Sequence, residues 1–101
     1  MPASAVKITV LKRLSVPDLN EKYGVNVAFQ CGAVGDGQEF ISQGLKMPDG
    51  FCAWAWADIQ RDVTVIALGG NFPWIKDEGV MISSCTDGLR PVIFKLERVK
   101  G

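Results

Sequence analysis

Histidine is absent from this 101-residue sequence. Its absence excludes Ser-His-Asp triads, Cys-His dyads, imidazole metal sites and acid–base catalysis by imidazole. Long apolar runs are also missing: the longest, residues 51–57, is far shorter than the roughly 20 residues of a transmembrane helix. No apolar stretch precedes the first charged residues, so we expect no membrane span, no secretory signal and a cytoplasmic location.

The composition is typical of one folded domain, with 48% hydrophobic residues, 22% charged residues and zero net charge. A chain of this size buries roughly 65% of the surface that its unfolded form exposes, which is enough for one core. We therefore expect residues 1–101 to form a single domain.

Basic residues are concentrated toward both ends of the chain. Seven of the 11 lie there, opposed only by Glu97: Lys7, Lys12, Arg13, Arg90, Lys95, Arg98 and Lys100. If these segments pair as strands, they form a basic stripe that could bind nucleic acid. The alternative is a sheet edge protected by lysines. We favour the edge, because the stripe lacks interleaved aromatic residues for base stacking, and we do not expect a nucleic-acid partner.

Three cysteines, Cys31, Cys52 and Cys85, lie 21 and 33 positions apart (52 minus 31, 85 minus 52). This spacing lacks the close pairs of zinc or thiol-redox motifs, and the odd count without an export signal predicts free thiols. Three thiolates could hold a metal ion or cluster with one open position, but the spacing does not specify such a site. We expect no metal and no cofactor.

Hydrophobic periodicity predicts strands at Val6–Leu11 and Val25–Cys31, a short helical segment at Leu19–Tyr23 and an extended segment at Glu39–Gln43. Residues 51–68 are predicted to form the main helix, with Asp49 as its N-cap and Gly69-Gly70 at its end. Its predicted buried face comprises Cys52, Trp56, Ile59, Val63 and Ile66, and its predicted solvent side comprises Asp58, Arg61 and Asp62.

The last third of the chain predicts a hairpin of Val80–Cys85 and Arg90–Val99 around a turn at Asp87-Gly88. A two-residue turn would pair Cys85 with Arg90, Ser83 with Val92 and Met81 with Phe94 on one face. The fold class is therefore α+β, a small antiparallel sheet covered by one main helix and closed by a hairpin.

Cys52 lies at the predicted start of the main helix, where free backbone N–H groups favour a thiolate, so it is the candidate nucleophile and the thiol expected to react first. We expect the three cysteines to converge in the reduced state. The alternative is that each packs as a small apolar residue. Without histidine, proton transfer would fall to Asp58, Asp87, Glu39 or a cysteine.

Three tryptophans are too many for the core of so short a chain, and Trp54 and Trp56 must point in different directions on a helix. With Trp74 they could wall an aromatic pocket, or they could be core and interface residues. Arg90 could hold a carboxylate or phosphate of a ligand, or pair with Asp87 or Asp58. Cys31 and Cys85 complete the predicted ligand-binding set.

Several phrases are unusual together: Met47-Pro48-Asp49-Gly50-Phe51-Cys52, Trp54-Ala55-Trp56, Gly69-Gly70, Phe72-Pro73-Trp74, Cys85-Thr86-Asp87-Gly88 and residues 90–98. Over nearly the whole chain they resemble a family of small uncharacterised bacterial and archaeal proteins, which also look alike around Cys31 and around residues 37–40. The resemblance implies cysteines and tryptophans at the positions named above, and no function. Family members often carry proline where this chain has Gly32 and Ala53.

Two functions from different classes follow from these residues. The first is binding of a small, mostly apolar or aromatic molecule in a Cys/Trp/Arg pocket, with a cofactor-free isomerase, cyclase or lyase activity as one form of it. The second is a noncatalytic homo-oligomeric accessory protein whose aromatic residues form a subunit interface. A closed concave pocket lined by Cys52, Cys85 and Trp56 would favour the first, and the same side chains packed solid or spread across a subunit contact would favour the second.

Overall fold

Four strands form one antiparallel sheet in the computed structural model, which describes residues 3–99. The strands are β1 (Val6–Arg13), β2 (Glu39–Ser42), β3 (Val80–Ser84) and β4 (Val92–Arg98), arranged in the order β2-β1-β4-β3. The helices are α1 (Pro17–Tyr23) and α2 (Ala53–Ala67). These elements confirm the predicted α+β class. Within the described residues, no helix has the length and apolarity needed to cross a membrane.

The core lies between α2 and one face of the sheet. Alternate residues of the two central strands are buried on this face: Val6, Ile8 and Val10 of β1, and Val92, Phe94 and Leu96 of β4. Ile59, Val63 and Ile66 of α2 are buried with them. The apolar side chains that alternate along the strands therefore pack against the apolar face of α2 in one layer, as the sequence predicted.

Helix α2 begins later than predicted, because its N-cap is Cys52 and not Asp49. Phe51 is buried beside Phe40 and Phe94, with its N–H bonded to the carbonyl of Pro48 in a turn, so the chain enters the core before the helix begins. The helix ends as predicted: Gly69 has a φ of +93°, a conformation that glycine adopts without strain, and its N–H binds the Ile66 carbonyl.

The prediction that Asp62 lies on the solvent-exposed side of α2 is wrong. Its side chain is buried, and its Oδ2 atom accepts a hydrogen bond of 2.8 Å from the hydroxyl of Ser83 on β3. The carboxylate is tolerated there because this hydrogen bond replaces one to water.

Residues 25–31 do not form the predicted strand. Val25 and Phe29 are 82% and 61% exposed, and both sides of β1 are already occupied by β2 and β4. The segment pairs with neither edge strand of the sheet, and Val25 and Phe29 remain exposed to solvent. This segment instead forms part of the loop between α1 and β2.

The prediction that the basic segments form a lysine-protected sheet edge is also wrong. These segments form β1 and β4, which are the central strands, whereas β2 and β3 form the edges. Acidic neighbours oppose the basic stripe: Lys7 lies 3.6 Å from a carboxylate oxygen of Glu39 and 3.7 Å from one of Glu97. Lys100 lies outside the described residues.

The closing hairpin has a longer connection than predicted. Ser83 pairs with Phe94 and Met81 with Leu96, two residues away from the predicted register. The Asp87 carboxylate accepts the N–H groups of Leu89 and Arg90 and folds the connection into its own turn. The shift is even, so Met81, Ser83 and Phe94 still share a face, whereas Arg90 lies in the connection and outside β4.

Candidate functional site

A cavity of about 570 Å³ lies at one end of the core, and all three cysteines line it. Its walls come from residues 31–34, the start of α2, the connection between β3 and β4, and the first part of β4. The lining residues are Cys31, Gly32, Ala33, Val34, Cys52, Trp54, Ala55, Cys85, Thr86, Asp87, Gly88, Arg90, Val92 and Phe94. Its volume falls within the range of pockets that bind small molecules.

Arg13 at the end of β1 holds the wall that carries Cys31. Its Nη1 atom donates to the Cys31 carbonyl at 3.1 Å, and its Nε atom donates to Asp36 at 3.0 Å. The amide of Gln30 donates to the Arg13 carbonyl at 2.7 Å. The hydrogen bond with Asp36 raises the pKa of Arg13 and lowers the pKa of Asp36, so this pair stays ionised across the neutral range.

The N-terminus of α2 forms a second wall. Cys52 occupies the N-cap position without a capping hydrogen bond from its side chain. The N–H groups in the first turn of a helix have no partner within the helix, so this wall offers donors to a ligand. Trp54 in this turn is 71% exposed and contributes an aromatic face to the cavity.

The connection between β3 and β4 forms the third wall and is tied down at two points. The Oδ2 atom of Asp58 accepts bonds from the N–H of Thr86 at 2.8 Å and from its hydroxyl at 2.9 Å. Asp87 accepts the Arg90 Nε–H at 3.2 Å in addition to its two backbone bonds. Burial acts to raise the pKa of Asp87, but these backbone bonds and the Arg90 charge outweigh it, so the pKa is lowered.

The three sulfur atoms are held differently. Cys85 is buried, and its Sγ atom accepts the Val92 N–H at 3.2 Å. The Sγ atom of Cys31 accepts the Ala33 N–H at 3.4 Å. Within residues 3–99, no three His, Cys, Asp or Glu side chains are placed to hold a metal ion.

Six of the nine predicted site residues line the cavity: Cys31, Cys52, Cys85, Trp54, Asp87 and Arg90. The other three do not line it. Asp58 lines a neighbouring depression. Trp56 packs edge-on against Phe51 with ring centroids 6.3 Å apart, and Trp74 is 68% exposed and packs against Phe72. Glu39, named for proton transfer, instead pairs with Lys7 on the sheet.

Sequence reasoning missed the apolar floor of the cavity. Val92 and Phe94 were assigned to the core, and their alternation along β4 gave no sign that one end of the core is open. Val34 lies among glycines, where no hydrophobic period marks it as buried.

Comparison of the chain with protein-family models, curated proteins and solved structures finds no match.

Proposed function

We propose that the protein binds a small, mostly apolar or aromatic organic molecule in the three-cysteine cavity, with an anionic group of the ligand, a carboxylate, at Arg90. One observation carries the proposal: cysteines 21 and 33 positions apart in sequence line one cavity together with a guanidinium group. Convergence of distant chemical groups on a concave surface is typical of ligand sites.

The apolar floor supports a hydrophobic body for the ligand. Val34, Val92 and Phe94 are buried in the core around this cavity, and the exposed indole of Trp54 stands at its rim. An aromatic or branched aliphatic group seated there would cover apolar surface and could stack on the indole.

Arg90 supports a carboxylate at the polar end. Its Nε atom donates to Asp87, and neither Nη atom donates a hydrogen bond within residues 3–99. A guanidinium with free Nη donors matches the two oxygens of a carboxylate, and the helix dipole of α2 favours the same charge.

Any reaction in this cavity rests on its thiols. Asp87 accepts three hydrogen bonds, and its lowered pKa makes it a weak base. Asp58 holds Thr86 and does not line the cavity. Cys52 is therefore the proposed nucleophile, in a cofactor-free isomerisation, cyclisation or lyase step. We propose a cytoplasmic location, where thiols remain reduced.

The test compares 3-phenylpropionate with the neutral 3-phenyl-1-propanol, which has the same aromatic body. When either compound is titrated into the protein, the backbone amide NMR signals of Ala33, Gly88 and Val92 should shift. Arg90→Ala should weaken binding of the carboxylate roughly tenfold, the loss of a charge-assisted hydrogen bond of about 1.5 kcal/mol, and leave the alcohol unchanged. Cys52→Ser should abolish any turnover while the carboxylate still binds.

Two outcomes would contradict the proposal. If neither compound shifts the cavity amides, the cavity is not a ligand site for this class. If native mass spectrometry shows an oligomer, and Trp54→Ala or Trp74→Ala converts it to a monomer, the homo-oligomeric accessory protein becomes the better explanation.

A further inference from the structure

A second, shallower depression of about 430 Å³ lies beside the cysteine cavity. Ala53, Trp54, Ala57, Asp58 and Thr86 line it, and Trp54 and Thr86 border both spaces. The two alanines leave room between the larger side chains on this side of α2. The proposed function above does not use this depression.

The carboxylate in this depression is fixed in place but not neutralised. Asp58 Oδ2 accepts the two hydrogen bonds from Thr86, whereas Oδ1 accepts none from the described part of the chain. Among residues 3–99, no Lys or Arg nitrogen lies within 4.0 Å of Asp58 to form an ion pair. A rigid carboxylate without a counter-ion attracts a cation from solution.

An aromatic face adjoins this carboxylate. Trp54 and Asp58 are four positions apart in α2, which places their Cβ atoms ~5–6 Å apart on one side of the helix. The indole is 71% exposed, so its π-surface is open to a ligand. An indole face beside a carboxylate is the chemistry that recognises organic ammonium groups.

Two positive charges nearby would repel a cation, but the repulsion from each is weaker than the attraction of the Asp58 carboxylate. The N-terminus of α2 carries about half a positive charge, but this effect is confined to the first helical turn and Asp58 lies in the second. Arg61 is three positions from Asp58, but its Nε atom lies 3.6 Å from Asp62, and its side chain is 83% exposed.

We propose that the depression between Trp54 and Asp58 is a binding site for an organic ammonium group. The ammonium lies against the indole face, and its charge is balanced by Asp58. The site shares Trp54 with the proposed ligand cavity, but it contains neither a cysteine nor Arg90, so the Asp58 variant tests it separately from the carboxylate ligand.

Tetramethylammonium chloride is the probe, with sodium chloride at equal ionic strength and tert-butanol as a neutral molecule of similar size as controls. Backbone amide NMR should show saturable shifts at Ala53, Ala57 and Thr86 with tetramethylammonium alone. Asp58→Asn retains an oxygen acceptor for Thr86 and should weaken binding roughly fivefold, as expected for one charge contact near water. Trp54→Leu should also weaken binding.

Matched variants separate this site from nonspecific attraction. Trp74 is exposed to a similar extent, so Trp74→Leu should leave the affinity unchanged, and Arg61→Gln should leave it unchanged or raise it. Equal shifts with tert-butanol, unchanged affinity in Asp58→Asn, or equal losses in the two tryptophan variants would overturn the proposal. The phenylpropionate titration is independent of all three outcomes.

Discussion

The three cysteines differ at the level of single atoms, although they share one cavity. Cys85 is buried and its sulfur accepts a backbone N–H, Cys31 is half-buried with a similar bond, and Cys52 stands half-buried at the N-cap of α2. Burial hinders contact with a reagent and a backbone N–H bond occupies the sulfur, so Cys85, which has both, is the most hindered and Cys52, which makes no capping bond, is the least hindered. The three thiols should therefore react with an alkylating reagent at different rates.

Alkylation should follow the order Cys52, Cys31, Cys85. Limiting iodoacetamide near neutral pH, followed by mass spectrometry of the peptides, gives the three rates in the folded protein. The same reaction in concentrated urea is the control, and there the differences should largely disappear. Labelling of Cys85 before Cys52 in the folded state would contradict this assignment.

The ionisation of Asp87 should make the free energy of unfolding depend on pH in the acidic range. Its pKa is below the ordinary value of 3.8, because the backbone and Arg90 hydrogen bonds outweigh burial. A lowered folded-state pKa adds stability above the unfolded-state value, and this stability is lost as the pH falls through the folded-state value. Wild type should therefore exceed Asp87→Asn in free energy of unfolding near pH 6.

The difference between wild type and Asp87→Asn should shrink steadily below about pH 4, where the unfolded chain begins to bind the proton. Urea denaturation at a series of pH values measures it. Asp77→Asn is the matched control, because Asp77 is exposed and forms no ion pair among residues 3–99. A constant difference between wild type and Asp87→Asn from pH 6 to pH 3 would argue against a protonation effect.

At the level of elements, Arg98 of β4 connects the sheet to the end of α2. Its Nη1 atom donates to the carbonyls of Ile66 and Gly70 at 3.0 and 2.9 Å, and its Nη2 atom donates to Asn71 Oδ1 at 3.0 Å. Carbonyls at a helix C-terminus lack partners within the helix, and a cation there also complements the dipole.

Replacing Arg98 by alanine should lower the free energy of unfolding by about 2 kcal/mol, since charged hydrogen bonds to these carbonyls are lost. Urea denaturation followed by circular dichroism provides the measurement. Arg61→Ala removes the same side chain from an exposed position on α2 and should cost less than about 1 kcal/mol. Comparable losses in the two variants would show that Arg98 does not act as a helix cap.

Elements with a strong internal period were predictable, and elements set by contacts with distant segments were not. Alternation identified β1, and the helical period identified α2 to within two residues at each end. The hairpin register was wrong because one carboxylate, Asp87, folds the connection differently from a two-residue turn. The burial of Asp62 depends on Ser83, which is 21 positions away, and no local pattern records that pairing.

In the candidate site, too, local sequence predicted some residues, and contacts between distant segments decided the others. Cysteines, an arginine and tryptophans could be named from their chemistry, but the choice between Trp54 and Trp56 depends on how α2 is rotated against the sheet. That rotation places Ala55 and Ile59 inward and leaves Trp54 exposed at the rim. The floor residues could not be named, because they are ordinary core residues that happen to border an opening.

At the scale of the whole molecule, the cavity depends on segments that belong to different parts of the fold. Two walls are the start of α2 and the connection between β3 and β4, which the Asp58–Thr86 contact joins. The wall at residues 31–34 belongs to the long loop between α1 and β2, most of which lies on the surface. Loops of this kind open more easily than a sheet core, so the bonds that hold this wall should govern the shape of the cavity.

Arg13 supplies several of those bonds without lining the cavity itself, so Arg13→Ala should loosen residues 30–36 and weaken 3-phenylpropionate binding severalfold. The variant loses the bonds to Asp36 and the Cys31 carbonyl, while the β1–β4 ladder on which Arg13 lies remains. Hydrogen exchange should accelerate over residues 30–36 and stay unchanged in β4. Lys12→Ala, at an exposed neighbouring position, should change neither exchange nor affinity. If exchange accelerates but binding does not weaken, the Cys31 wall does not contact the ligand. If exchange is unchanged, Arg13 does not hold this wall.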